Sequence, residues 1–205
     1  MAEGRLILDQ TKMNIGLEAL DKALGEDPMI YAFSPITMVS PGGYLAVSYF
    51  QNRSTTEDID VIIDPDGGDL GFGQDWINDT VTLFLTQPAR KSLFNDAEQQ
   101  NIVLWSGENL RVLGAPLEWG LETKLRRLST KPLHRKIITD TDDVQVLLNA
   151  LINRNKGPLE RNTVQRLNRN GFDVGIGDRV LDRVAEGYQE RYGNSPFSEG
   201  LTLVR

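Results

Sequence analysis

Residues 36–63 constrain the fold of this chain more than any other part of its sequence. The apolar run ITMV at 36–39 stops at Pro41-Gly42-Gly43, and a helical pattern, YLAVSYF, follows the glycines. A second run, DIDVII at 58–63, alternates aspartate with apolar residues and ends in turn-forming residues. Short apolar runs bounded by glycine and proline are typical of buried strands. The segment therefore predicts a strand, a glycine turn, a helix and a second strand.

The rest of the chain extends this arrangement with strands and then helices. IVLW at 102–105 and LRVL at 110–113 predict two more strands, whereas residues 75–85 suit a helix or a strand. A helix is predicted at 12–24, with Ile15, Leu20 and Leu24 on its apolar face. Beyond Pro116 a helical stripe is formed by four leucines: Leu117, Leu121, Leu125 and Leu128. We expect an α+β fold, with a small mixed β-sheet flanked by helices and a C-terminal helical extension.

Pro158 predicts a boundary between a core at 1–155 and a helical region at 156–205 packed on that core. Neither part contains an apolar stretch of the roughly 20 residues that a bilayer span needs. The N-terminal residues MAEGRLILDQ do not resemble a secretory signal. We therefore expect a cytoplasmic protein without a membrane partner.

Charge and cysteine content exclude several kinds of function. The net charge of −7 disfavours a long nucleic acid as partner, because phosphate repulsion opposes encounter. The absence of cysteine excludes disulfides, zinc–thiolate sites and cysteine nucleophiles. Residues 54–89 hold eight acids and no Lys or Arg, and residues 124–136 hold six Lys or Arg and no acid. An acidic and a basic region at one site could together hold a metal–triphosphate. The alternative is that both charge runs are solvated surfaces.

Asp58 and Asp60 are candidate metal ligands. Alternate side chains of a strand share a face, so the two carboxylates would lie about 7 Å apart, opposite Ile59 and Val61. Two carboxylates at this spacing can converge on one divalent cation, and oxygen ligands with an open coordination shell favour Mg²⁺ shared with substrate phosphates. The alternative is a solvated strand face that happens to carry two acids.

Gly42 and Gly43 would supply the other half of such a site. A glycine turn that opens a helix presents backbone N–H groups and the positive end of the helix dipole to an anion. The alternative is a strand-to-helix turn in which the glycines serve only to allow positive φ.

These motifs together resemble the signature of the nucleotidyltransferase fold of the DNA polymerase β superfamily. The resemblance is carried by Gly42-Gly43-Tyr44-x-Ala46, followed by Arg53-x-Thr55-Thr56-x-Asp58-Ile59-Asp60-Val61. The chain is most similar to the branch that contains the abortive-infection (AbiEii-type) nucleotidyltransferase toxins. A weaker match continues to about residue 151 through three segments: WIND at 76–79, LETKLRRL at 121–128 and DTDDVQVLL at 140–148.

The resemblance implies a Mg²⁺-dependent transferase that moves a nucleoside monophosphate from an NTP, with ATP among the candidates, to an acceptor. Asp58 and Asp60 would hold the metal, and Lys124 would act from a helix as a further catalytic residue. The nucleotide would be bound by five residues: Ser40, Gly42, Gly43, Arg53 and Thr55. The acceptor is a small molecule, a protein or an RNA, and a second copy of the chain or another protein stays open as a partner.

The sequence departs from the superfamily pattern at one point. Many members carry a third carboxylate on a later strand, but VTLFL, IVLW and LRVL contain no acid. The nearby acids are Asp79, Glu108, Glu118 and Asp140. Two alternatives follow: a protein of this fold that binds without transferring nucleotides, and a cleft reused for different chemistry. Lys124 also has a structural alternative, a salt bridge with Asp143.

Overall fold

The structure is a computed structural model that describes residues 7–63, 87–131, 133–171 and 174–198, with 87–90 as backbone only. The chain divides into two compact units, 1–116 and 117–205. The helices that follow Pro116 therefore belong with the C-terminal helices, and the boundary predicted at 155/156 lies inside the second unit. The ambiguous residues 75–85 and the WIND segment lie outside the described residues.

A mixed four-stranded sheet is the framework of the first unit. Its strands are β1 (Ile36–Ser40), β2 (Ile62–Ile63), β3 (Val103–Ser106) and β4 (Leu110–Gly114), in the order β2-β1-β4-β3. β1 is parallel to β4 and antiparallel to β2, and β3 is antiparallel to β4. The predicted α+β class, the small mixed sheet and the strands at 36–39, 102–105 and 110–113 are confirmed.

The strand predicted at 58–63 is wrong for its first four residues, because only β2 pairs with β1. Continued upstream, the antiparallel register would place Asp60 opposite Pro41, which has no N–H to donate to a ladder. β1 ends one residue earlier, at Ser40. Residues 56–61, the acidic loop, therefore run outside the sheet. Ile59 and Val61 still pack against the core, so the predicted alternation of apolar and acidic side chains persists without the ladder.

The described residues of the first unit form the helices α1 (Gln10–Glu26), α2 (Pro28–Tyr31), α3 (Gly43–Leu45), continued by a π-helical turn (Ala46–Phe50), and α4 (Gln87–Gln100). α3 begins at the glycine turn, as predicted. α1 buries Met13 and Leu17 in the core, whereas Ile15 is 60% exposed. The predicted face is therefore only partly the buried one, because Leu24 packs against the core whereas Ile15 and Leu20 are exposed. Asp21, on the same helix, faces the turn between β3 and β4.

The described part of the second unit is mainly helical. It contains α5 (Leu117–Thr130), α6 (Ile137–Asn155), α7 (Arg161–Gln165) and α8 (Asp178–Tyr192), with the short parallel pair β5 (Leu159–Glu160) and β6 (Phe197–Ser198). The four leucines of the predicted α5 stripe are all buried. Over the described residues, no helix combines the length and the apolar character needed to cross a membrane.

Candidate functional site

The glycine turn and the acidic loop lie against each other at the end of β1. A Cβ built on Gly42 would overlap Oδ2 of Asp60 and lie 3.3 Å from its Cγ. A Cβ built on Gly43 would overlap Oγ1 of Thr56 and lie 2.6 Å from its Cβ. Each glycine therefore leaves room for one side chain of the acidic loop: Gly42 for Asp60, and Gly43 for Thr56.

Positive φ is not what these two glycines supply. Gly42 has a φ of −111°, and the described glycines with positive φ are Gly171 and Gly193. The interpretation that the turn needs glycine for a left-handed backbone is therefore wrong. The turn needs glycine because the side chains of the acidic loop approach it closely.

Hydrogen bonds fix the acidic loop on the turn. Ser40 Oγ donates to the backbone carbonyl of Asp60 at 2.8 Å. Leu8 and Thr56 exchange two backbone N–H···O bonds of 2.8 Å each. Thr56 Oγ1 lies 3.5 Å from Asp58 Oδ1, longer than the roughly 2.5 to 3.0 Å of a strong hydroxyl–carboxylate hydrogen bond. Asp60 is thereby held beside Gly42, and Asp58 follows Thr56, whose side chain lies against Gly43; both aspartates are exposed to solvent.

This donor set fits a magnesium-type cation. Asp58 and Asp60 offer only oxygen ligands and are accessible at one turn. Mg²⁺ typically uses one or two carboxylates and completes its octahedron with water and phosphate oxygens. Within the described ranges, no group of three or more acidic or imidazole side chains is placed to hold a metal.

The other residues predicted to bind nucleotide take different positions. Ser40 is fully buried, and its hydroxyl is engaged by the Asp60 carbonyl, so it supports the loop from inside. Thr55 is exposed beside the buried Thr56. Arg53 is half-buried and lines an open cleft of about 550 Å³, together with the N-terminal end of α1.

Lys124 lies in the second unit, with its ammonium group between two carboxylates. Nζ is 2.6 Å from Asp143 Oδ2 and 3.5 Å from Asp140 Oδ1. The side chain of Lys124 is 10% exposed and each of the two aspartates is 3% exposed. The salt bridge considered for Lys124 and Asp143 is therefore formed, and Asp140 is a second partner.

Asp140 also faces two groups from the basic run at 124–136. Arg127 Nη1 lies 3.4 Å and His134 Nε2 lies 3.3 Å from Asp140 Oδ2. His134 Nδ1 accepts the backbone N–H of Lys136 at 2.9 Å, which orients the ring with Nε2 toward Asp140. Part of the basic run thus neutralises a buried acid of its own unit. The sequence indicates the charge of this run but not its buried partner Asp140, which lies in the first turn of the next helix.

Three of the four acids considered as a third carboxylate lie within the described residues, and none of them is placed with Asp58 and Asp60 in a possible metal site. Glu118 pairs with Arg154, and Asp140 belongs to the buried cluster of Lys124. Glu108 lies in the turn before β4. Because β1 and β4 are parallel, this turn is at the opposite end of the strands from the glycines, which follow β1. Asp79 lies outside the described residues.

Comparison with known proteins adds no identification to this geometry. No family model, curated protein or solved structure matches the chain. The nucleotidyltransferase resemblance therefore stays a prediction, and it depends on the residues of the turn and the acidic loop.

Proposed function

We propose that the protein is a Mg²⁺-dependent nucleotidyltransferase that transfers a nucleoside monophosphate from an NTP to an acceptor. The observation that carries the proposal is the contact of Asp60 with Gly42 and of Thr56 with Gly43, with Thr56 reaching Asp58. This contact joins a helix-opening glycine turn to a pair of exposed carboxylates. The combination supports a site for a metal-bound phosphate.

The charge at the turn explains why a metal would be needed there. None of the described side chains caps α3 at Gly42, so the start of the helix has no side-chain partner among them. The Asp60 carboxylate beside it repels a bare phosphate. Mg²⁺, when bound, would neutralise phosphate charge and stabilise the departing pyrophosphate. Asp58 and Asp60 would hold it, and backbone N–H groups of the turn at Gly42 and Gly43 would bind phosphate oxygens on its exposed side.

One observation favours a second candidate, a protein of this fold that binds nucleotide without transferring it. Lys124, which the resemblance makes catalytic, is engaged with Asp143 and Asp140 in a buried cluster. No third acid among the described residues joins Asp58 and Asp60 in a possible metal site. Both features weaken the case for transfer and leave the case for nucleotide binding intact.

Two measurements on the whole chain test these candidates. The first is calorimetry with each NTP, with and without Mg²⁺. The second is transfer of label from α-labelled NTPs to protein, RNA or small-molecule acceptors. We expect both activities in the wild type and their loss in Asp58→Asn and Asp60→Asn. Glu57→Gln, which changes an exposed acid of the same loop, is the matched control. Binding without transfer would support the second candidate, and no Mg²⁺-dependent NTP binding would overturn both.

A further inference from the structure

We propose that Ser40 and Thr56 are positioning residues, which fix the acidic loop from inside so that Asp58 and Asp60 can face one cation. The inference rests on the proposed function, because it concerns the same two carboxylates. It gives Ser40 a different role from the phosphate contact that the sequence resemblance implies, and it adds Thr56 to the site.

The acidic loop needs such support because the sheet does not provide it. Residues 58–61 make no ladder with β1. Two carboxylates that are two residues apart repel each other, and an exposed loop would let them separate. Contacts from outside the ladder are therefore required to keep Asp58 and Asp60 at the turn.

Ser40 supplies the first of these contacts. Its backbone is fixed at the end of β1, an inner strand of the sheet, where its carbonyl accepts the N–H of Ala115 at 3.0 Å. Its buried hydroxyl then donates to the Asp60 carbonyl at 2.8 Å. A rigid central strand thereby sets the backbone position of the residue whose carboxylate lies on Gly42. This hydroxyl is directed at protein backbone, which disfavours a phosphate as its partner.

Thr56 supplies the second contact. Its backbone is joined to Leu8 by two hydrogen bonds, and its side chain is only 8% exposed because it fills the space above Gly43. From this fixed position its hydroxyl lies 3.5 Å from Asp58 Oδ1. Carboxylates that bind metals are commonly oriented by such outer hydrogen bonds, whose loss weakens metal affinity by about 10- to 100-fold.

The binding of Mn²⁺ to the whole chain tests the inference without requiring a substrate. Electron spin resonance of the free ion measures this binding. Ser40→Ala and Thr56→Val should each weaken Mn²⁺ affinity by about 10- to 100-fold. Thr56→Ser retains the hydroxyl and should restore most of the affinity. The matched controls are Ser129→Ala and Thr123→Val, since both hydroxyls donate to backbone carbonyls in the second unit at 2.9 Å. Both controls should bind Mn²⁺ like the wild type.

The outcomes separate this inference from the function on which it rests. If the wild type does not bind Mn²⁺, the proposed transferase fails first, and the positioning role fails with it. If Asp60→Asn loses Mn²⁺ while Ser40→Ala and Thr56→Val bind it like the wild type, only the positioning role is overturned. Thermal unfolding of each variant shows whether it folds. Should Ser40→Ala not fold, the difference between Thr56→Val and Thr56→Ser decides.

Discussion

Lys124 Nζ lies 2.6 Å from Asp143 Oδ2, and the two side chains are no more than 10% exposed. The pair joins α5 to α6 within the second unit, and Asp140 adds a second carboxylate 3.5 Å from the same nitrogen. A buried ion pair contributes little relative to a well-packed apolar pair. Removal of one partner is nevertheless strongly destabilising, because the remaining charge stays buried without compensation.

Replacement of Lys124 by methionine should therefore lower the free energy of unfolding by about 3 to 5 kcal/mol. Urea denaturation followed by circular dichroism measures the change. Lys22→Met is the control, because the Lys22 ammonium is exposed and lies 3.8 Å from Glu26, and its loss should have little effect. If Lys124→Met kept wild-type stability and lost nucleotide transfer, the residue would act in catalysis rather than in folding.

Asp21 should be the most sensitive polar residue of α1. Its carboxylate accepts the backbone N–H groups of Asn109 and Leu110 at 2.8 Å each and that of Glu108 at 3.3 Å. Asp21→Ala would remove these hydrogen bonds and leave the N–H groups of two buried residues, Asn109 and Leu110, without this acceptor, at a cost of about 3 kcal/mol. Glu18→Ala, an exposed acid on the same helix, should cost far less in the same denaturation experiment. Equal losses in the two variants would contradict this role.

Apolar patterning predicted those parts of the fold in which burial decides the structure. The strands and the leucine face of α5 are where the apolar runs place them. The apolar pattern of α1 predicts only Leu24 of the side that packs on the core, because that side also carries Asp21, a polar residue four positions after Leu17. The strand at 58–63 was overestimated because its would-be partner position is Pro41, and this conflict is visible only once the register is known.

The sequence predicts the residues of the candidate site but not the contacts that hold these residues in place. Gly42, Gly43, Asp58 and Asp60 stand out by residue type and order along 19 positions of the chain. The contacts that fix them join residues distant in sequence: Ser40 with Asp60, and Leu8 with Thr56. Serine and threonine are common residues, and no local pattern distinguishes these from others.

The two glycines of the turn should respond differently to alanine. In Gly42→Ala the new methyl meets Oδ2 of Asp60, the far end of an exposed side chain, so the carboxylate is displaced at little cost in stability. In Gly43→Ala the methyl meets the buried Thr56 at its Cβ, 2.6 Å away, and such overpacking costs about 1 to 3 kcal/mol. Urea denaturation and Mn²⁺ affinity, measured on both variants, distinguish these effects.

Gly16→Ala is the control for both glycine variants. Gly16 lies on the exposed side of α1 with no described atom within 4 Å of a new Cβ. Alanine there should stabilise the helix by roughly 0.5 to 1 kcal/mol and leave Mn²⁺ affinity unchanged. Wild-type Mn²⁺ affinity in Gly42→Ala would show that the position of Asp60 against the turn does not matter for metal binding.

Tyr44 should make stability depend on pH in the alkaline range. Burial raises the pKa of its phenol from 10.0 to about 12, partly offset by a hydrogen bond with Ser48, and its hydroxyl donates to the Leu104 carbonyl at 3.2 Å. The folded state therefore keeps a proton that the unfolded state loses above pH 10. The contribution of the Tyr44 phenol to the free energy of unfolding is fully present below pH 10 and falls by roughly 2 to 3 kcal/mol as the pH rises to about 12.

Tyr44→Phe lacks this titration, so its free energy of unfolding should fall less steeply than that of the wild type between pH 10 and about 12. Urea denaturation over this pH range measures the difference. Parallel pH profiles for the two proteins would contradict the assignment.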